Sequence, residues 1–358
     1  MFRRPRPNDP TSDTPVDAAE DDIPVVFDPW CGASEGPELQ AKMLTGDWEG
    51  LRDALVAAPV ERRDFLIRKI TDQARPTPAL DAWADEEPNS SLPFVVRGAQ
   101  RINAAWAARG RRYTSDVDPT AWQGFQQGLL DAEVDLNRAV RSDPTDPLPW
   151  IQLMISGRVL AMSVGEASRR YQHIEELHPG LCGAADQIVQ CVSAKWLGDH
   201  DLMIGVAREI VGNAEPGDPR HRLIAMAHLE RALAYGNDTH GRDLYRHDPG
   251  VHDELLATVG RSFGHPSWGE GPEHRTTLSL LAATLGYFHL AGAARPILER
   301  IAVAPSPAGF EYFGNPVGVY LRCRQAAGLE QAAWPTVGLA PAGGPPPPSP
   351  LTSLNQED

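Results

Sequence analysis

The chain has 358 residues, 42% of them apolar and 7% aromatic, enough apolar surface to offset chain entropy over most of its length, so it reads as mainly folded. Its formal charge of −15 excludes a general nucleic-acid binder and disfavours anionic membranes, because phosphates are repelled unless a local basic face overrides the total. Four cysteines, Cys31, Cys182, Cys191 and Cys323, form no CxxC or Cys/His cluster, which reads as buried free thiols rather than a disulfide or zinc framework.

The opening text MFRRPRPNDPTSDTP has basic residues but no apolar segment after them, and no run of about 18 apolar residues follows anywhere. A cytoplasmic protein with no membrane partner is expected. Only Lys42, Lys69 and Lys195 among the 33 basic residues are lysine, a usage that fits GC-rich bacterial coding. Residues 1–35 are rich in Pro and Asp, with an acidic run from Asp17 to Asp22, and residues 331–358 are richer still in Pro and Gly; both are expected to be disordered tails. Pro345 to Pro348 has polyproline character and reads as a spacer.

Between the tails the apolar residues recur at the helical period and no run alternates like a strand, so the fold class is all-α. A first hairpin is predicted over 38–57, turning at Gly46-Asp47, with Leu51, Leu55 and Val56 on one face. The next helix, over 61–74, places Phe65, Leu66 and Ile70 inward and its arginines outward. A short helix over 79–84 ends before Pro88, and a long one over 92–109 ends at Gly110 in the manner of a C-cap.

Ala132, Leu136 and Ala139 then form a stripe that stops at Pro144, and Trp150 and Leu153 begin another. Small residues let antiparallel helices approach, bulky ones fill the gap, and proline ends the second helix. The pattern recurs: Ala167, Tyr171, Ile174 and Pro179 keep the same spacing, with Pro179 35 positions after Pro144. A looser unit reaches Pro216, with helices over 184–196 and from about 200, the second carrying Ala207 and Ile210. Further helices are expected over 219–236, 251–263, 275–290, 294–301 and 317–327, with 237–250 as an insertion and 262–274 as a polar loop. This gives about five or six hairpins, enough for a stable array.

The spacing from Ala132 to Pro179 resembles the tetratricopeptide (TPR) repeat, whose period is about 34 residues. The wider text resembles a bacterial family of TPR-like helical hairpins. The matching residues are Leu80-Asp-Ala-Trp83 with Pro88, Arg97-Gly98, Ala105-Trp106-Ala-Ala-Arg109-Gly110, and the joint from Asp135-Leu136 to Pro144, and the likeness covers roughly 40–235. It implies antiparallel hairpins stacked in a right-handed solenoid over 36–235, continued with an insertion over 236–330, and brings no assigned activity.

In such an array a groove binds peptides or partner helices. Arg97, Arg101 and Arg109, with Arg111 and Arg112 beside them, are the basic departure from an acidic background, and Trp106 shares a helix side with Arg109. With Trp268 in the polar loop they are the candidate groove residues for a protein or peptide partner, expected to be acidic. A non-enzymatic interaction scaffold without a cofactor or metal is therefore the expectation. The alternative is an enzyme or metal-dependent protein using His240, His247, His252, Asp253 and His265 in 237–274, although no two histidines there have the i, i+4 spacing of a helical metal site. The glycines from Gly264 to Gly271 lack the Lys-Ser/Thr of a phosphate loop. Self-association through an exposed end of the array is a third reading.

Overall fold

Helix starts in this chain are set by short polar side chains. Asp47, Ser163, Asp199, Asp238, Asp248 and Asn315 each accept a hydrogen bond from a backbone N–H of the first turn, satisfying donors that the helix itself leaves open. The computed structural model describes residues 25–72, 77–109, 119–301 and 304–329, and among them it is all-helical, with no strand. The helices are α1 (Gly36–Thr45), α2 (Trp48–Ala57), α3 (Val60–Ile70), α4 (Pro78–Glu86), α5 (Leu92–Arg109), α6 (Pro119–Ser142), α7 (Leu148–Val159) and α8 (Val164–Leu177). They continue with α9 (Cys182–Cys191), α10 (His200–Asn213), α11 (Arg222–Leu233), α12 (Thr239–Arg246), α13 (Pro249–Arg261), α14 (Pro272–Tyr287), α15 (Ala291–Arg300) and α16 (Pro316–Ala326).

Two sets of neighbours organise them. Helices α5, α7, α9, α11 and α14 touch one another in succession, and α6, α8, α10, α12 with α13, and α15 pack respectively against these. The first pair is the closest: a Cβ added at Gly98 would lie 2.7 Å from Leu136, and one at Gly128 would lie 2.9 Å from the Ala105 Cβ. Ala132, Leu136, Ala139, Ala167 and Ile174 are fully buried and Leu153 nearly so, whereas Pro144 and Pro179 are exposed at the ends of α6 and α8. Trp150 and Tyr171 are half-buried, Trp150 standing edge-on to His173.

The start of the described chain closes over this layer. Helix α3 contacts α1, α5 and α9. Residues 25–33 reach the far end, where the Asp28 backbone N–H donates to the Pro305 carbonyl at 2.8 Å and Phe27 meets Phe310 and Tyr320. A 3-10 turn, Phe310–Phe313, packs back on α14.

Several expectations need correction. Residues 25–35 belong to the packed structure and not to a disordered tail, with Cys31 and Ala33 buried; residues 1–24 and 330–358, and likewise Gly110, Arg111 and Arg112, lie outside the described residues. Val56 is 59% exposed, since position i+5 turns off the face that Leu51 and Leu55 share. Arg68 points inward, to partners on α3 and α14. Helix α9 ends at Cys191, and Trp196 sits in the turn where the Leu197 N–H returns to the Cys191 carbonyl. The expected insertion 237–250 contains α12, capped by Asp238, which buries no side chain and packs on α11.

Candidate functional site

Helices α7, α9, α11 and α14 are buried over most of their length, so each buried polar residue they carry must find a partner inside the protein. Arg222 and Glu230 are eight residues apart on one face of α11, and Asp186 and Gln190 are four apart on α9. With Glu273 and Thr277 of α14 they form a polar seam between these helices, covered by α3 at one end and by Tyr312 at the other.

At the first end three carboxylates share two guanidiniums. Arg222, 1% exposed, grips Asp186 through Nη2 at 2.6 Å and Nε at 3.1 Å, and its Nη1 stands 2.8 Å from Glu273. Arg68 binds the other Glu273 oxygen at 2.5 Å and Asp64 at 3.0 Å. Burial alone would raise the Glu273 carboxyl, but Arg222 and Arg68 together hold it at about 2. Asp64 has a single guanidinium partner, and there burial wins and pushes its carboxyl up. Burial likewise pushes up the neighbouring Cys182 thiol, which keeps it a poor nucleophile. Gly183 makes room for this end: a Cβ there would lie 2.3 Å from an Asp64 oxygen.

At the second end Glu230 accepts from Lys195 at 2.6 Å, from Gln190 at 3.0 Å and from the Tyr312 hydroxyl at 3.2 Å. Arg158, on α7, donates to Gln187 at 2.6 Å and lies over the Trp196 ring. Nearby at the end of α3, burial pushes Asp72 up to about 7, with Lys69 opposing and Glu311 reinforcing the shift. Arg68, Arg222 and Lys195 are paired with acids of the chain itself, the arrangement of an internal clamp, whereas Arg158 is bonded to a neutral group.

The sequence-derived groove residues fall elsewhere and do not converge. Arg97 forms a bidentate pair with Asp135, at 2.6 and 2.9 Å, and also binds Asp81 at 2.9 Å; Arg101 joins Asp135 at 2.7 Å. Both guanidiniums are thus occupied by acids of α4 and α6, not presented to a partner. Trp106 and Arg109 are buried in a separate cluster, Trp106 edge-on to Phe125 and Arg109 over the Trp106 and Trp122 rings, whereas Trp83 is wholly buried against Trp48. Trp268 is half-buried between Phe263 and His274.

The histidines of 237–274 also separate. His240 and His247 line a shallow concavity with Asp243, Leu244 and Asp248, but the His247 Nδ1–H donates to the Asp243 carbonyl of its own helix and the ring stacks on His289. His252 is engaged by the Arg246 carbonyl and His265 by the Ser267 N–H. Asp253 is exposed, while its neighbour Glu254 binds Arg208 and His228, which hold its carboxyl at about 2. Among the described residues no group of three or more His, Cys, Asp or Glu is placed to hold a metal ion, and no helix is long and apolar enough to cross a membrane.

One surface carries unneutralised positive charge. On the outer side of α6, Leu130 and Val134 are 47% and 66% exposed, and Arg138 and Arg141 follow at helical spacing. Arg138 is held in place by the Phe94 ring at 4.2 Å and the Pro88 carbonyl at 3.0 Å, yet neither it nor Arg141 has a carboxylate within ion-pair distance among the described residues. With Pro88 and Asn89 they line a shallow concavity. No family model matches the chain, and neither a curated protein nor a solved structure matches it.

Proposed function

We propose that the protein is a non-enzymatic interaction scaffold: TPR-like antiparallel hairpins stacked as a right-handed solenoid, docking an acidic protein segment on the outer face of α6. The succession α5, α7, α9, α11, α14, each with its own outer helix, supports the stacked-hairpin reading. In that reading the inner groove is filled by α3 and by the turn bearing Tyr312, so a partner is met outside it.

The observation that carries the docking site is the stripe Leu130, Val134, Arg138, Arg141: two exposed apolar side chains beside two arginines without acids, in a chain of net charge −15. Its complement is an amphipathic helical segment with apolar residues at i, i+4 and carboxylates beyond them, since arginine holds carboxylates in bidentate fashion. Arg138, already ordered by Phe94 and Pro88, loses less freedom on binding than a free side chain.

The test is site-specific photo-cross-linking in the source cells. A photoreactive residue at Val134 is expected to trap one protein species, with the product lost in the Arg138→Glu, Arg141→Glu double variant. The same residue at the exposed control position Glu176 on α8 is expected to trap none. Equal trapping at both positions, or trapping indifferent to the arginines, contradicts the docking site.

A further inference from the structure

We propose that Arg158 anchors a binding site for a monoanionic organic carboxylate. The argument starts from an imbalance of charge. Arg158 is 4% exposed, and among the described residues its side chain has one hydrogen bond, to the neutral Gln187 at 2.6 Å, and no carboxylate within ion-pair distance. The nearby Lys195 and Glu230 are paired at 2.6 Å and cancel, leaving one positive charge in a buried setting. A buried ion without a counter-ion is strongly disfavoured, and an incoming anion is the natural compensation.

Unsatisfied donors gather at the same place. Among the described residues the Arg158 Nε–H has no acceptor, nor does the buried indole N–H of Trp196, whose ring lies 5.3 Å from the guanidinium carbon. Trp106, edge-on to Trp196 at 6.0 Å, is a third buried N–H without an acceptor. Buried donors without acceptors are rare in folded proteins, and three in one contiguous cluster point to a missing acceptor. Around it Gln187, Lys195, Trp196 and Tyr312 are only partly buried.

The class of ligand follows from this chemistry. A guanidinium presents a planar fork that matches a carboxylate, and indole faces accept an apolar or aromatic body. The net charge to be balanced is a single one. The phosphate dianion, which predominates at slightly alkaline pH, would overcompensate it and bring a second negative charge close to Glu230.

The experiment titrates the full-length protein with benzoate and, separately, with inorganic phosphate, reading the melting temperature and tryptophan fluorescence. Benzoate is expected to raise the melting temperature and change the fluorescence along one saturable curve, phosphate to do neither. Arg158→Met, which fills the same volume without the charge, is expected to weaken benzoate by about tenfold or more, the loss of a charged hydrogen-bonded partner, with an unchanged circular dichroism spectrum. Should that variant not fold, Trp196→Phe keeps a ring and removes one N–H, and is expected to weaken benzoate several-fold. Absence of a saturable benzoate response, an equal response in the folded variant, or an equal response to phosphate overturns the assignment. The readouts do not depend on the α6 face, so this inference and the proposed docking site fail separately.

Discussion

Arg222 shows how one side chain can hold several helices. Its guanidinium joins Asp186 of α9 and Glu273 of α14, and Thr277 lies within 3.4 Å. Removing one member of a buried charged set leaves the others unpaired, which costs about 3–5 kcal/mol. Arg222→Met is therefore expected to lower the unfolding free energy by about that amount in urea titration; a loss under about 1 kcal/mol would mean that Asp186 and Glu273 find other partners. Two acids with opposite shifts give opposite pH dependences. Glu273 titrates at about 2 in the folded protein against an ordinary value of about 4.3, so its contribution is complete above the higher value and lost as pH falls through the lower. Asp72 is raised to about 7, so the stability linked to it is present below about 3.9 and is lost as pH rises through about 7. Asp72→Asn is expected to flatten the stability profile between about pH 4 and pH 8; an unchanged slope would place Asp72 in an ordinary solvated setting.

Helix α6 carries both the close approach to α5 and the exposed arginines. Gly128→Ala would gain up to about 1 kcal/mol of helix propensity, but the new methyl would stand 2.9 Å from the Ala105 Cβ, and overpacking between two helices costs about 1–3 kcal/mol. Crowding is the larger effect, so the variant is expected to melt at a lower temperature than the parent; a higher melting temperature would show that α5 and α6 separate readily. Elements with a local signature were legible in the sequence. The bounds of α2 and α5 follow from an apolar stripe and its punctuation, and Ala132, Leu136, Ala139, Ala167 and Ile174 are buried as their spacing implied. Elements without that signature were missed: α12 buries nothing, so it has no stripe, and only the Asp238 cap marks its start. The inward turn of Arg68 was invisible for another reason, since its partner Glu273 lies 205 residues away. The seam did leave a trace, in single polar residues interrupting the otherwise apolar text of α7, α9 and α11. Reading those positions as obligate partners would have found Arg158, Asp186 and Glu230.

At the scale of the molecule, the chain closes on itself. Helix α3 is locked to α9 and α14 through Asp64, Arg68 and Glu273, the 25–33 segment reaches Pro305 and Phe310, and Tyr312 seals the other end of the seam at Glu230. These contacts join the first helices of the described chain to the last ones. Contacting charged pairs give coupling energies of about 0.5–3 kcal/mol, whereas distant sites add within about 0.3–0.5 kcal/mol. A double-mutant cycle between Arg68→Met and Glu273→Gln, measured by urea unfolding of the full chain, tests this closure most directly. Coupling of about 1 kcal/mol or more is predicted; strictly additive effects would contradict the closure.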